Sequence, residues 1–442
     1  MIRSLRALIA AVIALTTLAP DARALGLVRD AEIENTIRAY AVPLFNAAGL
    51  EASSVRTYLV NSRDLNAFVA GGQNLFLNTG LLVRAETASQ VIGVIAHETG
   101  HVAGGHLARL QDALRNARAT AIAAMVLGGL AGLAAGRADA GVAAMLGGQQ
   151  VAERTLLSYS RAQEASADQA GMGFLDRVGW SSRGLLEFFE VLSGQEFLAY
   201  DRQSPYVRSH PLTRDRIEAV RDHLTRMPGK TALPAGFEQM HQRTRAKLRG
   251  FLDPPGDTLA LYKESDRSVP ARYARAVAFH RQARLADALR LIDGLIAESP
   301  RDPYFHELKG QVLFESGRVR EAAAAYATAV QLLPGAALLR VGLAQAELEL
   351  NDPALLQKAK ANLIEATRQD LDYALAWRLL AVAHGREGDI GLAAVALAEQ
   401  ALLENRMRDA RQQASRAEQL LARGSPGWLR AQDIKDAARE KR

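Results

Sequence analysis

The 442-residue chain contains no cysteine. That excludes a disulfide framework, a thiol nucleophile, thiolate metal ligands and a lipid-modified cysteine anchor. Long apolar runs are also scarce. Residues 7–19 and 119–135 are the two that stand out, and both are shorter than the roughly 20 residues a membrane-crossing helix needs. Aromatic residues make up only 6% of the chain, and no basic stripe is interleaved with them. The formal net charge of +6 therefore does not mark a nucleic-acid binder. Residues 1–24 contribute three arginines and one aspartate, so the remainder carries +4.

Those first residues have a function of their own. A basic stretch, Met1 to Arg6, precedes the apolar run Ala7 to Ala19 and the small-x-small site Ala22-Arg23-Ala24. This is the pattern of a secretory leader cleaved after Ala24, and it places the mature chain in the periplasm. An N-terminal anchor is the competing reading, for which the run is short.

The stretch Val91 to His101 is H-E-x-x-H behind an apolar run. On a helix, His97 and His101 lie one turn apart on one face and can offer ring nitrogens to one cation, with Glu98 beside it. Two imidazoles suit zinc, whose catalytic sites take three protein ligands and keep a fourth position for water. The ion lowers the pKa of that water to about 7, and a neighbouring carboxylate can take its proton as the water attacks a carbonyl. The chemistry is peptide-bond hydrolysis. A third donor must come from farther along, and Glu164 is the best candidate. It shares a helix face with Asp168, which could accept a hydrogen bond from a ligand imidazole. A solvated acidic face paired with Arg161 accounts for the same residues.

Around the motif, spacing predicts a helix from Arg29 to Ala48, strand-like material over residues 55–60, and a hairpin of residues 66–70 and 74–78 across Gly71-Gly72. The motif helix is expected from about Thr87 to Leu110. A strand beside a metal site can hold an extended peptide by backbone pairing, and a purely structural hairpin fits equally. Residues 119–148, small and apolar, read as two helices that pack over the site, meet another subunit or touch a membrane surface.

The ordered set Asn66-Ala67-Phe68, Gly71-Gly72, Gly80-Leu81-Leu82, His97-Glu98-x-x-His101, Glu164-x-x-x-Asp168 and Ser209-His210-Pro211-x-x-x-x-Arg216 resembles the M48 metallopeptidases over roughly residues 30–250. The resemblance implies a gluzincin-type domain. In it, His97, His101 and Glu164 hold one Zn²⁺ per chain, Glu98 is the general base, and Asp168 assists from behind the ligands. It also implies that His210 can act as a reversible fourth ligand, a latch that displaces the catalytic water. A plain helix start, with Pro211 at its first position, also accounts for His210. Arg216 orients substrate or holds this loop against a carboxylate such as Asp168. His106, five residues past His101, falls off the ligand direction on an ideal helix, about 140° round from His101, and reads as supporting or structural.

Asp253-Pro254-Pro255-Gly256-Asp257 reads as a linker. Beyond it, Ala276, Ala288 and Pro300 recur 34 residues later as Gly310, Ala322 and Pro334, a spacing that resembles tetratricopeptide repeats. About four units and a capping helix over residues 428–438 are expected. The fold class is α+β, mostly α: a leader (1–24), a zinc metalloprotease domain (25–252), a linker (253–269) and an all-α repeat solenoid (270–442). The combination resembles M48 members of Gram-negative periplasms. It implies unfolded or stalled outer-membrane protein substrates, docking on outer-membrane assembly machinery through the repeats, and peripheral membrane contact through residues 119–148, without nucleic acid. A chaperone-like scaffold with a latched, mainly structural zinc site is the alternative. A solenoid that only covers the protease domain is the plainest reading of the repeats.

Overall fold

A computed structural model describes residues 26–109, 161–193, 203–227 and 233–440. The leader and residues 119–148 lie outside the described residues. Helix α1 (Ala31–Ala47) starts where the Asp30 side chain accepts the Ile33 N–H, the usual N-cap device for an unpaired first-turn donor. Its face of Ile33, Ile37, Tyr40, Leu44 and Phe45 is buried at helical spacing.

Four strands follow the order β1 (Leu27–Val28), β2 (Arg56–Val60), β4 (Asn74–Asn78), β3 (Ala67–Ala70) across one sheet. The β3–β4 pair is the expected hairpin, with Phe68 opposite Phe76. β4 then lies parallel to β2, with Tyr58 opposite Phe76, and this leaves β3 at the edge. Rings of Tyr58, Phe76 and Phe68 stack along one face at centroid separations of 5.0 and 4.9 Å. Leu59, Leu75 and Leu77 point the other way, into a core shared with α1.

Helix α2 (Thr79–Arg84) leads into α3 (Ala88–Ala103), whose apolar run Val91 to Ala96 is fully enclosed. α3 is shorter than its composition suggests. It stops at the cap Gly104, and Gly105 turns the backbone at φ +59°. Residues 161–178 form α4, followed by α5 (Arg183–Leu192), α6 (Pro205–Ser209), α7 (Arg214–Arg226) and α8 (Phe237–Leu252). The stretch read as a linker carries a short helix, α9 (Pro255–Leu261), with Thr258 buried beneath it. Among the described residues, no helix is long and apolar enough to cross a membrane.

From Val269 the chain is a stack of helical hairpins: α10 (Val269–Arg281) with α11 (Leu285–Glu298), α12 (Pro303–Glu315) with α13 (Val319–Leu332), α14 (Ala337–Glu349) with α15 (Pro353–Gln369), α16 (Ala374–Glu387) with α17 (Ile390–Leu403), and α18 (Met407–Leu420) with α19 (Pro426–Glu440). Starts of α10, α12 and α14 are spaced by the 34-residue period. The irregularity expected near Asn351 resolves into α15, which at 17 residues is longer than the 14-residue α11 and α13. Small residues let neighbouring helices approach: a Cβ on Gly310 or Gly342 would lie 2.8 or 2.7 Å from the Tyr326 ring.

The hairpin stack packs against the start of the N-terminal half. Ala31 packs with Ala329 and Leu339. Lys247, only 3% exposed, reaches Asp30 at 2.6 Å, Glu32 at 3.4 Å and Glu307 at 3.7 Å. Arg243 joins Glu32 at 2.6 Å to Asp302 at 2.5 Å, and Tyr273 donates its hydroxyl to Glu32 at 2.8 Å. Arg29 pairs with Asp370, and Arg56 with Asp372, at a second contact.

Candidate metal centre

Three elements converge on the motif helix, and glycines let them come close. A Cβ on Gly100 would stand 2.5 Å from the Ala167 carbonyl oxygen, and one on Gly171 would stand 2.9 Å from that of Ala96. α3 and α4 therefore cross nearly backbone to backbone, which carries Glu164 and Asp168 to the imidazoles. The turn after α6 brings His210 from a third direction, and α7 supplies Arg216.

His97, His101, Glu164 and His210 each offer a ligand atom, all within 4.8 Å of one another. His97 Nε2 lies 3.1 Å from His101 Nε2, 3.3 Å from His210 Nδ1 and 3.4 Å from Glu164 Oε2. Glu164 Oε1 is 3.4 Å from His101 Nε2 and 3.2 Å from His210 Nδ1. A tetrahedral ion with ligand distances of about 2.0–2.1 Å keeps its donors about 3.3 Å apart. The separations match that figure.

Two further observations fit a cation. Both carboxylate oxygens of Glu98 are buried without a hydrogen-bond partner among the described residues, and Oε1 lies 3.5 Å from His210 Nε2. The cluster also gathers the carboxylates of Glu98, Glu164 and Asp168 within reach of the imidazoles and the Arg216 guanidinium, an acidic surrounding that favours a bound cation. Buried charges need such pairing.

Asp168 Oδ1 accepts His97 Nδ1–H at 2.8 Å. Arg216 binds the same carboxylate through Nε and Nη2, reaches Glu164 Oε2 at 3.1 Å through Nη1, and donates to the Pro211 carbonyl at 2.8 Å. Its guanidinium also lies over the Phe189 ring. The Arg216 side chain thus joins the Asp168 carboxylate to the Pro211 carbonyl beside His210.

Protonation follows these contacts. Burial alone would lower the His97 pKa, but hydrogen bonds to Asp168 and Glu164 outweigh it and push the ring up to about 10. Burial would raise Asp168, yet the bonds from His97 and Arg216 hold it below the usual range. Glu164 likewise overcomes burial and is held far down by His210, His101 and His97. His101 is lowered, chiefly by burial, and burial brings His106 down to about 4.

His106 stands outside the donor set, with Nδ1 3.1 Å from His101 Nδ1. Tyr206 went unnoticed in the sequence. It is fully enclosed, its ring lies 4.6 Å from that of His210, and its hydroxyl has no partner among the described residues. Its position four residues before His210, one helical turn, was the available signal.

A sheet flanked by helices, with an H-E-x-x-H helix crossed by a carboxylate-bearing helix, defines a metalloprotease. Residues 28–224 match peptidase family M48, and the chain belongs to that family. Among curated relatives, it is 27% identical over 362 residues to the beta-barrel assembly-enhancing protease of Yersinia pestis, covering 79% of this chain and 72% of the relative. The protein of the same name from Escherichia coli K12 is 26% identical, with 81% and 73% covered. Metalloprotease LoiP of E. coli K12 is 30% identical over 192 residues, 42% of this chain and 71% of LoiP.

Proposed function

We propose that the chain is a zinc-dependent endopeptidase of the periplasm that acts on unfolded or stalled outer-membrane β-barrel proteins during their assembly and quality control. The observation that carries this reading is the convergence of four ligand atoms beside the Glu98 carboxylate, which has no hydrogen-bond partner among the described residues. The leader-like first 24 residues support export, and the relatives known as beta-barrel assembly-enhancing proteases support the substrate class.

In this reading, His97, His101 and Glu164 hold one zinc ion. When bound, zinc acidifies a water molecule and polarises the scissile carbonyl. Glu98 takes the proton of the attacking water and delivers it to the leaving amide nitrogen as the C–O bond forms and the C–N bond breaks. Asp168 keeps the proton on His97 Nδ1, so that Nε2 remains a donor atom, and Arg216 holds Asp168 in place. His210 acts as a latch: its Nδ1 stands in the donor set and must withdraw before a substrate carbonyl can enter. The hairpin stack serves as the docking surface for the substrate or the assembly machinery.

Replacing Glu98 tests this reading. Glu98→Gln should lower cleavage of an unfolded outer-membrane protein by about 10²–10⁴-fold while zinc content, measured by elemental analysis, stays at one per chain. Undiminished cleavage would overturn the mechanism. The place of His210 among the donors also favours a second reading, a chaperone-like scaffold with a latched, mainly structural zinc. Full complementation of an envelope-stress defect by Glu98→Gln would select it.

A further inference from the structure

Each donor imidazole has a second nitrogen, and its partner decides which nitrogen is free for a metal. For His97 that partner is the Asp168 carboxylate. For His101 it is another histidine. His101 Nε2 faces the donor set, while Nδ1 points away and meets His106 Nδ1 at 3.1 Å, the rings crossing at 83°. Two neutral ring nitrogens at that distance share one proton. If it resides on His106, His101 carries its own proton on Nε2 and cannot ligate. If it resides on His101 Nδ1, the Nε2 lone pair is free.

His106 is held in place by its surroundings. Its backbone follows the Gly104-Gly105 turn that ends α3, and its ring folds back over that turn, with Nε2 2.4 Å from where a Cβ on Gly104 would sit. Its carbonyl accepts Gln163 Nε2 at 3.2 Å, one residue before Glu164, and the residue is 4% exposed.

We propose that His106 is a positioning residue whose Nδ1 accepts the hydrogen bond from His101 Nδ1–H and so keeps the Nε2 lone pair of His101 directed into the metal centre. The inference deepens the zinc reading and rests on it. It also makes the two ligand histidines unequal, since one is backed by a charged carboxylate and the other by a neutral imidazole.

Zinc affinity of the purified full chain, measured by competition with a chromophoric chelator using zinc ions alone, tests the inference. His106→Leu should weaken zinc by about 10–100-fold, the usual cost of losing such a partner. His106→Asn places its side-chain oxygen where Nδ1 was and should restore most of that loss. His106→Gln, whose oxygen falls nearer the Nε2 position, should not. Native affinity in His106→Leu, or equal losses in the Asn and Gln variants, would overturn the inference. Should the Leu variant fail to fold, the Asn–Gln comparison still decides. Failure of the native chain to bind zinc would instead sink the zinc reading itself.

Discussion

Arg216 grips Asp168 through both ends of its guanidinium, Nε to Oδ2 at 2.6 Å and Nη2 to Oδ1 at 2.9 Å, on the carboxylate that also accepts His97 Nδ1–H. A planar fork of this kind is not reproduced by an ammonium group. Arg216→Lys should therefore lose stability, and Arg216→Leu should lose more, about 3–5 kcal/mol, because two buried carboxylates are left without their cation. Thermal unfolding of the zinc-free protein measures it; a Leu variant melting with the native chain refutes the arrangement.

His210 provides a second prediction. If its Nδ1 blocks the site in about nine molecules in ten, removing the ring should raise turnover about tenfold, by the ratio of competent populations. His210→Ala assayed on an unfolded outer-membrane protein reads this directly. A fall in turnover at unchanged zinc content would instead make His210 part of the working site.

The charge cluster between the halves should be sensitive to its single lysine. Lys247→Met removes the cation that Asp30, Glu32 and Glu307 share. The expected cost is about 3–5 kcal/mol, since uncompensated buried charge remains. Denaturant unfolding would record it as a lower midpoint, and a shift within error would mean that solvent already screens these carboxylates.

Glu307 gives this cluster a pH dependence. Burial, only partly offset by Lys247 and reinforced by Asp30 and Glu32, raises its pKa to about 7. Between its ordinary value near 4.5 and about 7 the folded chain holds more protons than the unfolded one. Stability contributed by this group therefore falls as pH rises through that window and is level above it. Native protein and Glu307→Gln, melted in parallel from pH 5 to 8, should differ in slope, with the variant flatter. Parallel curves would show that Glu307 does not titrate there.

The sequence carried the metal centre unevenly. His97, Glu98 and His101 were readable because four-residue spacing is a local rule. Glu164 and Asp168 obey the same rule, but only the close crossing of α3 and α4 distinguishes them from an ordinary acidic face. A helix continued past Ala103 turns His106 away from the ligands, whereas the Gly104-Gly105 turn ends α3 and brings it back beside His101. The hairpin of β3 and β4 was legible from alternation and its Gly-Gly turn, whereas the parallel pairing of β2 with β4 leaves no mark in either strand. The repeat period survived because each hairpin contacts mainly its neighbours. The bonds from Tyr273, Arg243 and Lys247 to Glu32 join residues more than 200 apart, and no periodicity records them.

Those bonds also bear on how the chain comes apart. Glu32 is buried in the first helix of the protease half, yet one of its hydrogen-bond donors is Tyr273 of the first hairpin. A fragment ending near residue 260 would expose Lys247 and strip Glu32 of Tyr273. The cooperative unit of unfolding should therefore run across the boundary that composition draws, joining α1 and α8 to the first hairpins.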